Sequence, residues 1–174
     1  MQSKNSSGGH ETTGGCSLEK AVAELLIERG LTIAAAESCT GGLLSKRLTD
    51  IPGASKFFIG GVIAYGSHVK IALLGVDPAL IKEKGAVSRE VALAMAEGAR
   101  IALGTDIGVG VTGIAGPDGD GSGLEAGTVF IALAATGESL CHELHLPHDR
   151  EGVRFVSSSH ALDMVRLYLT EGRT

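Results

Sequence analysis

The feature that most constrains this fold is a short apolar run at residues 31–36, which ends abruptly in small polar residues. Uninterrupted apolar runs of this length are typical of strands buried on both faces of a sheet. Helical spacing of leucines begins soon after Gly42, so residues 31–49 predict a strand, a tight turn and a helix. Units of this kind are typical of α/β proteins, in which helices cover a largely parallel sheet.

The alternation of helices and strands continues along the chain. The patterns predict helices at residues 17–29, 40–49, 67–74, 88–103 and 148–169, with a brief helix from Asp77-Pro78. They predict strands at residues 31–36, 57–65, 106–112, 127–136 and 138–146. The last two strands are joined by Thr136-Gly137, which indicates a hairpin and one antiparallel pairing. We therefore expect a three-layer α/β/α sandwich around a mixed sheet of about five strands.

Length and composition indicate one folded domain. The chain has 174 residues, of which 44% are hydrophobic but only 3% aromatic, so Ala, Leu, Ile and Val must form the core. Residues 1–16 are almost entirely polar and cannot offset the entropy of ordering. We expect a flexible N-terminal tail at 1–16 and a single domain at 17–174.

Charge and cysteine content exclude several classes of function. The net charge of −5 offers no basic surface for nucleic acid, and no apolar run reaches the roughly 18 residues of a membrane span. Cys16, Cys39 and Cys141 are widely spaced, and the histidines form no ligand cluster, so we expect no metal site and no cofactor. Without a signal peptide pattern, the expected location is the reducing cytoplasm.

Polar residues follow the ends of the predicted strands, where α/β proteins bind ligands. Ser38 is a possible nucleophile beside the free N–H groups of a helix start, which stabilise oxyanions. A buried, neutral Lys70 would serve as its base, with Tyr65 just before the same helix as a proton relay. The same pattern also fits a plain N-cap at Ser38, an exposed lysine and a packed tyrosine. Cys39 is a rival nucleophile without an evident activating histidine.

Two further features suit a phosphate. The glycine-rich loop from Thr112 to Gly116 can offer backbone N–H groups, although it lacks the Walker pattern. Arg150 and Arg154 lie four residues apart on one helix face and could clamp an anion. A long turn without a ligand and two surface cations remain the alternatives.

Six motifs in a fixed order resemble a known family. They are Ala36-Glu37-Ser38-Cys39-Thr40-Gly41-Gly42, Tyr65 through Lys70, Leu73-Leu74-Gly75-Val76, Gly85-Ala86-Val87-Ser88, Thr112-Gly113-Ile114-Ala115-Gly116-Pro117 and Gly127-Thr128-Val129. By these motifs the chain resembles the CinA C-terminal-domain family of nicotinamide-nucleotide amidases, over roughly residues 18–169. The fused N-terminal domain of that family has no counterpart here, so we expect the stand-alone form.

The resemblance implies hydrolysis of nicotinamide mononucleotide to nicotinate mononucleotide and ammonia. It implies an α/β/α fold, a homodimer or higher homo-oligomer, and no metal. The only other partner expected is a phosphorylated pyridine nucleotide. By resemblance the catalytic residues are Ser38, Tyr65 and Lys70. The substrate-binding residues expected beside them are Glu37, Cys39, Thr40, Gly41, Thr112, Gly113, Ala115, Gly116 and Arg150.

The chain departs from the family pattern at two places. Gly119-Asp120-Gly121 stands where the family usually has Gly-Gly-Ser, and Leu124-Glu125-Ala126 stands where it has Lys-Pro-Val. Glu125 exchanges a cation for an anion, which we expect to affect the affinity for an anionic substrate more than the chemistry. A non-catalytic nucleotide-binding module is therefore the alternative function, and a cysteine hydrolase that uses Cys39 is a third.

Overall fold

A computed structural model describes residues 17–119 and 121–171. Its helices are α1 (Leu18–Arg29), α2 (Leu43–Thr49), α3 (Ser67–Leu74), α4 (Pro78–Lys84), α5 (Arg89–Leu103) and α6 (Arg150–Thr170). Its strands are β1 (Ile33–Glu37), β2 (Phe58–Ile63), β3 (Ile107–Gly113), β4 (Thr128–Ala135) and β5 (Glu138–His145). The predicted tail at residues 1–16, including Cys16, lies outside the described residues.

The strands form one mixed sheet in the order β2-β1-β3-β4-β5. The first three strands are parallel, and β4 and β5 are antiparallel additions that include the predicted hairpin. The chain leaves β1 in one direction toward β2 and later returns on the other side of β1 as β3. The carboxyl end of β1 is therefore a topological switch point, where α/β sheets leave a crevice for ligands.

Helices cover both faces of the sheet. On one face Ile33 and Ala35 of β1 pack in a core with α1, α2 and α6, and on the other face Ala34 and Ala36 pack with α3 and α5. All five residues of β1 are buried, as the continuous apolar run predicts for a central strand. The predicted three-layer α/β/α architecture is confirmed.

Most predicted element ends are confirmed by their caps. Ser17 and Ser88 accept N-cap hydrogen bonds at the starts of α1 and α5. The second helix was predicted from residue 40 but begins at Leu43, because Gly41 and Gly42 have φ values of 57° and 93°. Such positive φ values are incompatible with a right-handed helix, so these glycines form a turn instead. The predicted loop after Thr49 also contains a short 3₁₀ helix, Ala54–Lys56.

No helix in the described part of the chain is long and apolar enough to cross a membrane.

Candidate active site

The turn at residues 38–42, here called the Ser38 turn, connects β1 to α2. Glu37, the last residue of β1, is fully buried directly before it. Its carboxylate accepts hydrogen bonds from the N–H groups of Gly42 and Leu44 at 3.0 Å, and from that of Ser45 at 2.8 Å. The Ser45 hydroxyl adds a fourth at 2.6 Å. The start of α2 is thus occupied by an internal anion, and the expectation that its N–H groups are free for a ligand is wrong.

Lys70 lies in the first turn of α3, and its amine reaches Ser38 directly. Nζ is 3.0 Å from Ser38 Oγ, 2.7 Å from the Ala64 carbonyl oxygen and 3.4 Å from that of Tyr65. A neutral amine has two N–H donors and one lone pair, which match two carbonyl acceptors and one hydroxyl donor. The side chain is only 2% exposed, and this burial lowers the pKa of Lys70 to about 8. The arrangement therefore suits an amine that accepts the Ser38 proton.

Backbone donors remain beside this pair. The N–H of Ser38 donates to Val111 O at 2.9 Å and is occupied. The N–H groups of Cys39 and Ala115 have no hydrogen-bond acceptor among residues 17–119 and 121–171. Both residues line the same cavity as Ser38. These two N–H groups are therefore two candidates for stabilising an oxyanion near Ser38.

A cavity of about 270 Å³ opens at the carboxyl ends of β1 and β3. Ser38 and Lys70 form its inner wall, and the loop after β3 forms much of its side. Thr112 is buried, and its hydroxyl donates to Ala86 O at 2.8 Å, which ties the loop before α5 to β3. The lining residues are Ser38, Cys39, Tyr65, Lys70, Ala86, Val87, Thr112, Gly113, Ile114, Ala115, Gly116, Asp118, Gly119 and Arg150.

The mouth of the cavity is crossed by Arg150. Its Nη1 donates to Gly116 O at 2.8 Å, and its Nη2 donates to the Tyr65 hydroxyl at 3.0 Å. Both acceptors are neutral, and within the described ranges no carboxylate forms an ion pair with Arg150. The Tyr65 side chain is 59% exposed, and its hydroxyl forms no described hydrogen bond with Lys70 or Ser38. The structure therefore does not bring the Tyr65 phenol into the expected proton relay.

Cys39 faces the cavity but is not prepared to react. Burial raises the pKa of its thiol to about 12, so it is uncharged at neutral pH. The thiolate is the nucleophilic form of cysteine, which disfavours the third alternative.

The sequence of residues 16–169 matches the family described as the CinA C-terminal domain. The chain belongs to this family. Among its curated relatives are CinA-like proteins of Koribacter versatilis, 50% identical over 89% of this chain, and Dictyoglomus turgidum, 48% identical over 88%. The chain spans about 37% of the length of each of these relatives.

Solved structures of the CinA family have the same fold. A CinA superfamily protein from Klebsiella pneumoniae 700603 superposes with a TM-score of 0.86 at 30% identity, covering 88% of this chain and 96% of that one. The competence/damage inducible protein CihA from Agrobacterium tumefaciens gives 0.82 at 35% identity, covering 88% and 95%. The folded part of this chain thus corresponds to nearly the whole of each solved CinA structure.

Nine of the predicted site residues line the cavity of this CinA domain, and three do not. Glu37, Thr40 and Gly41 are absent from its walls. The Glu37 carboxylate is occupied by α2, and Thr40 is fully buried. Arg154 is not at the cavity either, since its Nε and Nη2 donate to Thr40 O at 3.1 and 2.9 Å. The four-residue spacing of Arg150 and Arg154 therefore does not produce a joint anion clamp.

Four cavity residues, Ala86, Val87, Asp118 and Gly119, were not predicted at the site, and a fifth, Ile114, lies inside the predicted loop from Thr112 to Gly116 but was not singled out. The first two belong to the Gly85–Ser88 motif, which was recognised as a CinA feature but not placed at the site. Glu125, the anion expected near the substrate, is exposed and does not line the cavity. In the described part of the chain, no three His, Cys, Asp or Glu side chains are grouped to hold a metal ion.

Proposed function

We propose that this CinA-family chain hydrolyses the carboxamide of nicotinamide mononucleotide to give nicotinate mononucleotide and ammonia. The observation that carries the proposal is the 3.0 Å approach of the Lys70 amine to Ser38 Oγ at the inner wall of the cavity. A serine hydroxyl is a weak nucleophile until a base takes its proton. A lysine with a pKa of about 8 is partly neutral at physiological pH and can be that base.

In the proposed reaction Ser38 Oγ attacks the carboxamide carbon while Lys70 Nζ takes the hydroxyl proton. The N–H groups of Cys39 and Ala115 donate to the oxyanion of the tetrahedral intermediate. Lys70 then gives its proton to the leaving nitrogen, and ammonia departs from the acyl-enzyme. A water molecule attacks the ester while Lys70 takes its proton, the acyl bond to Ser38 Oγ breaks as Lys70 returns that proton to Oγ, and nicotinate mononucleotide leaves. Tyr65 takes no part in these proton transfers because its hydroxyl is directed to Arg150.

The proposed phosphate site is the mouth of the cavity. Arg150 carries a positive charge, yet its hydrogen-bond acceptors in the described part of the chain are two neutral oxygens, those of Gly116 and Tyr65. A phosphate offers charged acceptors in a geometry that a guanidinium binds bidentately, so it can replace these contacts. The carboxamide would then lie at the inner wall beside Ser38, and the phosphate would lie at the mouth beside Arg150.

The deciding experiment measures ammonia release from nicotinamide mononucleotide, its riboside and free nicotinamide. We expect turnover in that order, with none in a Ser38→Ala variant that still binds the nucleotide in calorimetry. Tight nucleotide binding without ammonia release from the wild-type chain would contradict the proposal and support a non-catalytic binding module. Normal turnover by Ser38→Ala would exclude Ser38 as the nucleophile.

We also propose that the chain acts in the cytoplasm and, as the resemblance implies, that it forms a homodimer or higher homo-oligomer. Sedimentation equilibrium of the full chain measures the assembly, and a single species at 17.7 kDa would contradict it.

A further inference from the structure

Two charged side chains hold the Ser38 turn, although neither lines the cavity. Glu37 precedes the turn and binds the start of α2, as described above. Arg154 approaches from α6 and donates through both Nε and Nη2 to the carbonyl oxygen of Thr40. The turn is therefore fixed at its two sides by an internal anion and an internal cation.

The Arg154 contact is stronger than an ordinary surface hydrogen bond. Thr40 is fully buried, so its carbonyl has no access to water, and two guanidinium donors share it at 3.1 and 2.9 Å. Hydrogen bonds from an ionised donor are roughly twice as strong as neutral ones. In the ranges that the structure describes, no carboxylate forms an ion pair with Arg154. Its charge thus acts on this one carbonyl.

We propose that Arg154 is a positioning residue, which fixes Ser38 at the distance from Lys70 that proton transfer needs. The inference rests on the proposed function. Thr40 is only two residues beyond Ser38, so a shift of its peptide moves the hydroxyl that Lys70 must reach. Displacement of a reacting group by about 1 Å can lower the rate roughly 100-fold.

Arg150 provides an internal comparison, because it lies one helical turn away on α6. Arg150 contacts the mouth of the cavity, whereas Arg154 contacts the backbone behind the inner wall. If the two arginines have these different tasks, the same substitution should change different kinetic constants. Loss of Arg150 should weaken substrate binding, and loss of Arg154 should slow the reaction of bound substrate.

The first test measures ammonia release by Arg154→Met. We expect kcat to fall about 10- to 100-fold with KM within about twofold of wild type, the signature of a misplaced nucleophile. Arg154→Lys should recover part of kcat, because its ammonium can still donate one hydrogen bond to Thr40. Arg166→Met is the matched control, since Arg166 lies on the same helix, paired with Asp163. It should leave both constants unchanged.

The second test does not depend on the nucleotide. A fluorophosphonate probe reacts with an activated serine hydroxyl, and intact mass and peptide mapping give the rate of labelling at Ser38. We expect Arg154→Met to slow this labelling by the same factor as kcat, while Arg166→Met labels at the wild-type rate. If Arg154→Met does not fold, the same comparison is made with Arg154→Lys.

The outcomes separate the two proposals. An unchanged kcat and labelling rate in Arg154→Met, or a raised KM with unchanged kcat, overturns the positioning role. Wild-type labelling at Ser38 without ammonia release overturns the proposed substrate alone, and the labelling rates then decide the role of Arg154. A wild-type chain that does neither overturns both proposals.

Discussion

The inner wall of the cavity and its mouth are built on different principles. At the inner wall Lys70 is 2% exposed, and three oxygen atoms of its own chain surround its amine. At the mouth Tyr65 is 59% exposed, and the partners of Arg150 among residues 17–119 and 121–171 are a phenol and one carbonyl. The inner wall is therefore buried, whereas the mouth is exposed and its contacts can be replaced by those of a ligand.

The difference shows how one small cavity can combine reaction and recognition. Burial changes the proton affinity of an amine, and this is useful where a base is required. The same burial would be harmful for a phosphate-binding cation, which must keep its charge and exchange partners with a ligand. Two basic residues of one cavity therefore require opposite environments.

The largest expected effect comes from removing the buried base. Lys70→Met should lower kcat by about 1,000-fold or more, since general base catalysis contributes roughly 100- to 10,000-fold. Calorimetry should show nucleotide affinity within a few-fold of wild type, because the mouth is intact. Lys82→Met, on the exposed side of α4, is the control and should be fully active. Retained turnover in Lys70→Met would show that the inner wall does not supply the base.

The next effect concerns pH. Protonated Lys70 cannot accept the Ser38 proton, so kcat/KM should rise about tenfold per pH unit and level off above the pKa of about 8. At pH 6 the expected value is about 1% of the plateau. Initial rates from pH 6 to 9.5 give the profile. A profile that is flat through pH 8 would mean that the buried amine is not the titrating base.

Changes at the mouth should act on binding. Arg150→Met should raise KM for nicotinamide mononucleotide by about tenfold, in line with a charge-assisted hydrogen-bond pair, and should change kcat much less. The riboside, which lacks the phosphate, should be insensitive to the substitution. Tyr65→Phe removes only a neutral acceptor and should change KM no more than about threefold. An equal loss for nucleotide and riboside would remove the phosphate role from Arg150.

The smallest effect is expected at Cys39, a buried residue of the cavity wall directly after Ser38. Cys39→Ala should leave kcat within about threefold of wild type, since only a small buried side chain is lost. Thiol reagents should not inactivate the wild-type chain at pH 7, because the thiol has a pKa of about 12. Rapid loss of activity on alkylation of Cys39 would contradict this.

The local pattern of apolar and turn residues was sufficient to predict the central strand and the mixed sheet. The apolar run at residues 31–36 predicted a buried central strand, and Thr136-Gly137 predicted the hairpin that makes the sheet mixed. Ser38 and Lys70 were also placed at one site, because Ser38 follows a strand end, Lys70 lies one turn into the helix after the Tyr65 strand end, and the family resemblance pairs them. These features depend on periodicity and chain direction, which the sequence contains.

The remaining contacts depend on distances between side chains far apart in the chain. The sequence does not reveal that Glu37 turns inward to cap α2, or that Tyr65 pairs with Arg150 rather than Lys70. Arg150 and Arg154 have the same residue type and share a helix face. Only the position of Thr40 beneath that helix distinguishes their partners. Residue types in the sequence therefore predicted which residues belong to the site better than they predicted what each residue does there.

The burial of Lys70 also has a consequence for the stability of the fold. In the unfolded chain a lysine has a pKa of about 10.5, and in the folded chain this one has a pKa of about 8. Between these two values the unfolded chain binds more protons, so the free energy of unfolding should increase with alkalinity, by up to about 3 kcal/mol. Below pH 8 the amine is protonated in both states, and the full cost of burying its charge lowers the free energy of unfolding. The contribution of Lys70 to the free energy of unfolding should thus be most favourable under the alkaline conditions in which its amine is ready to react.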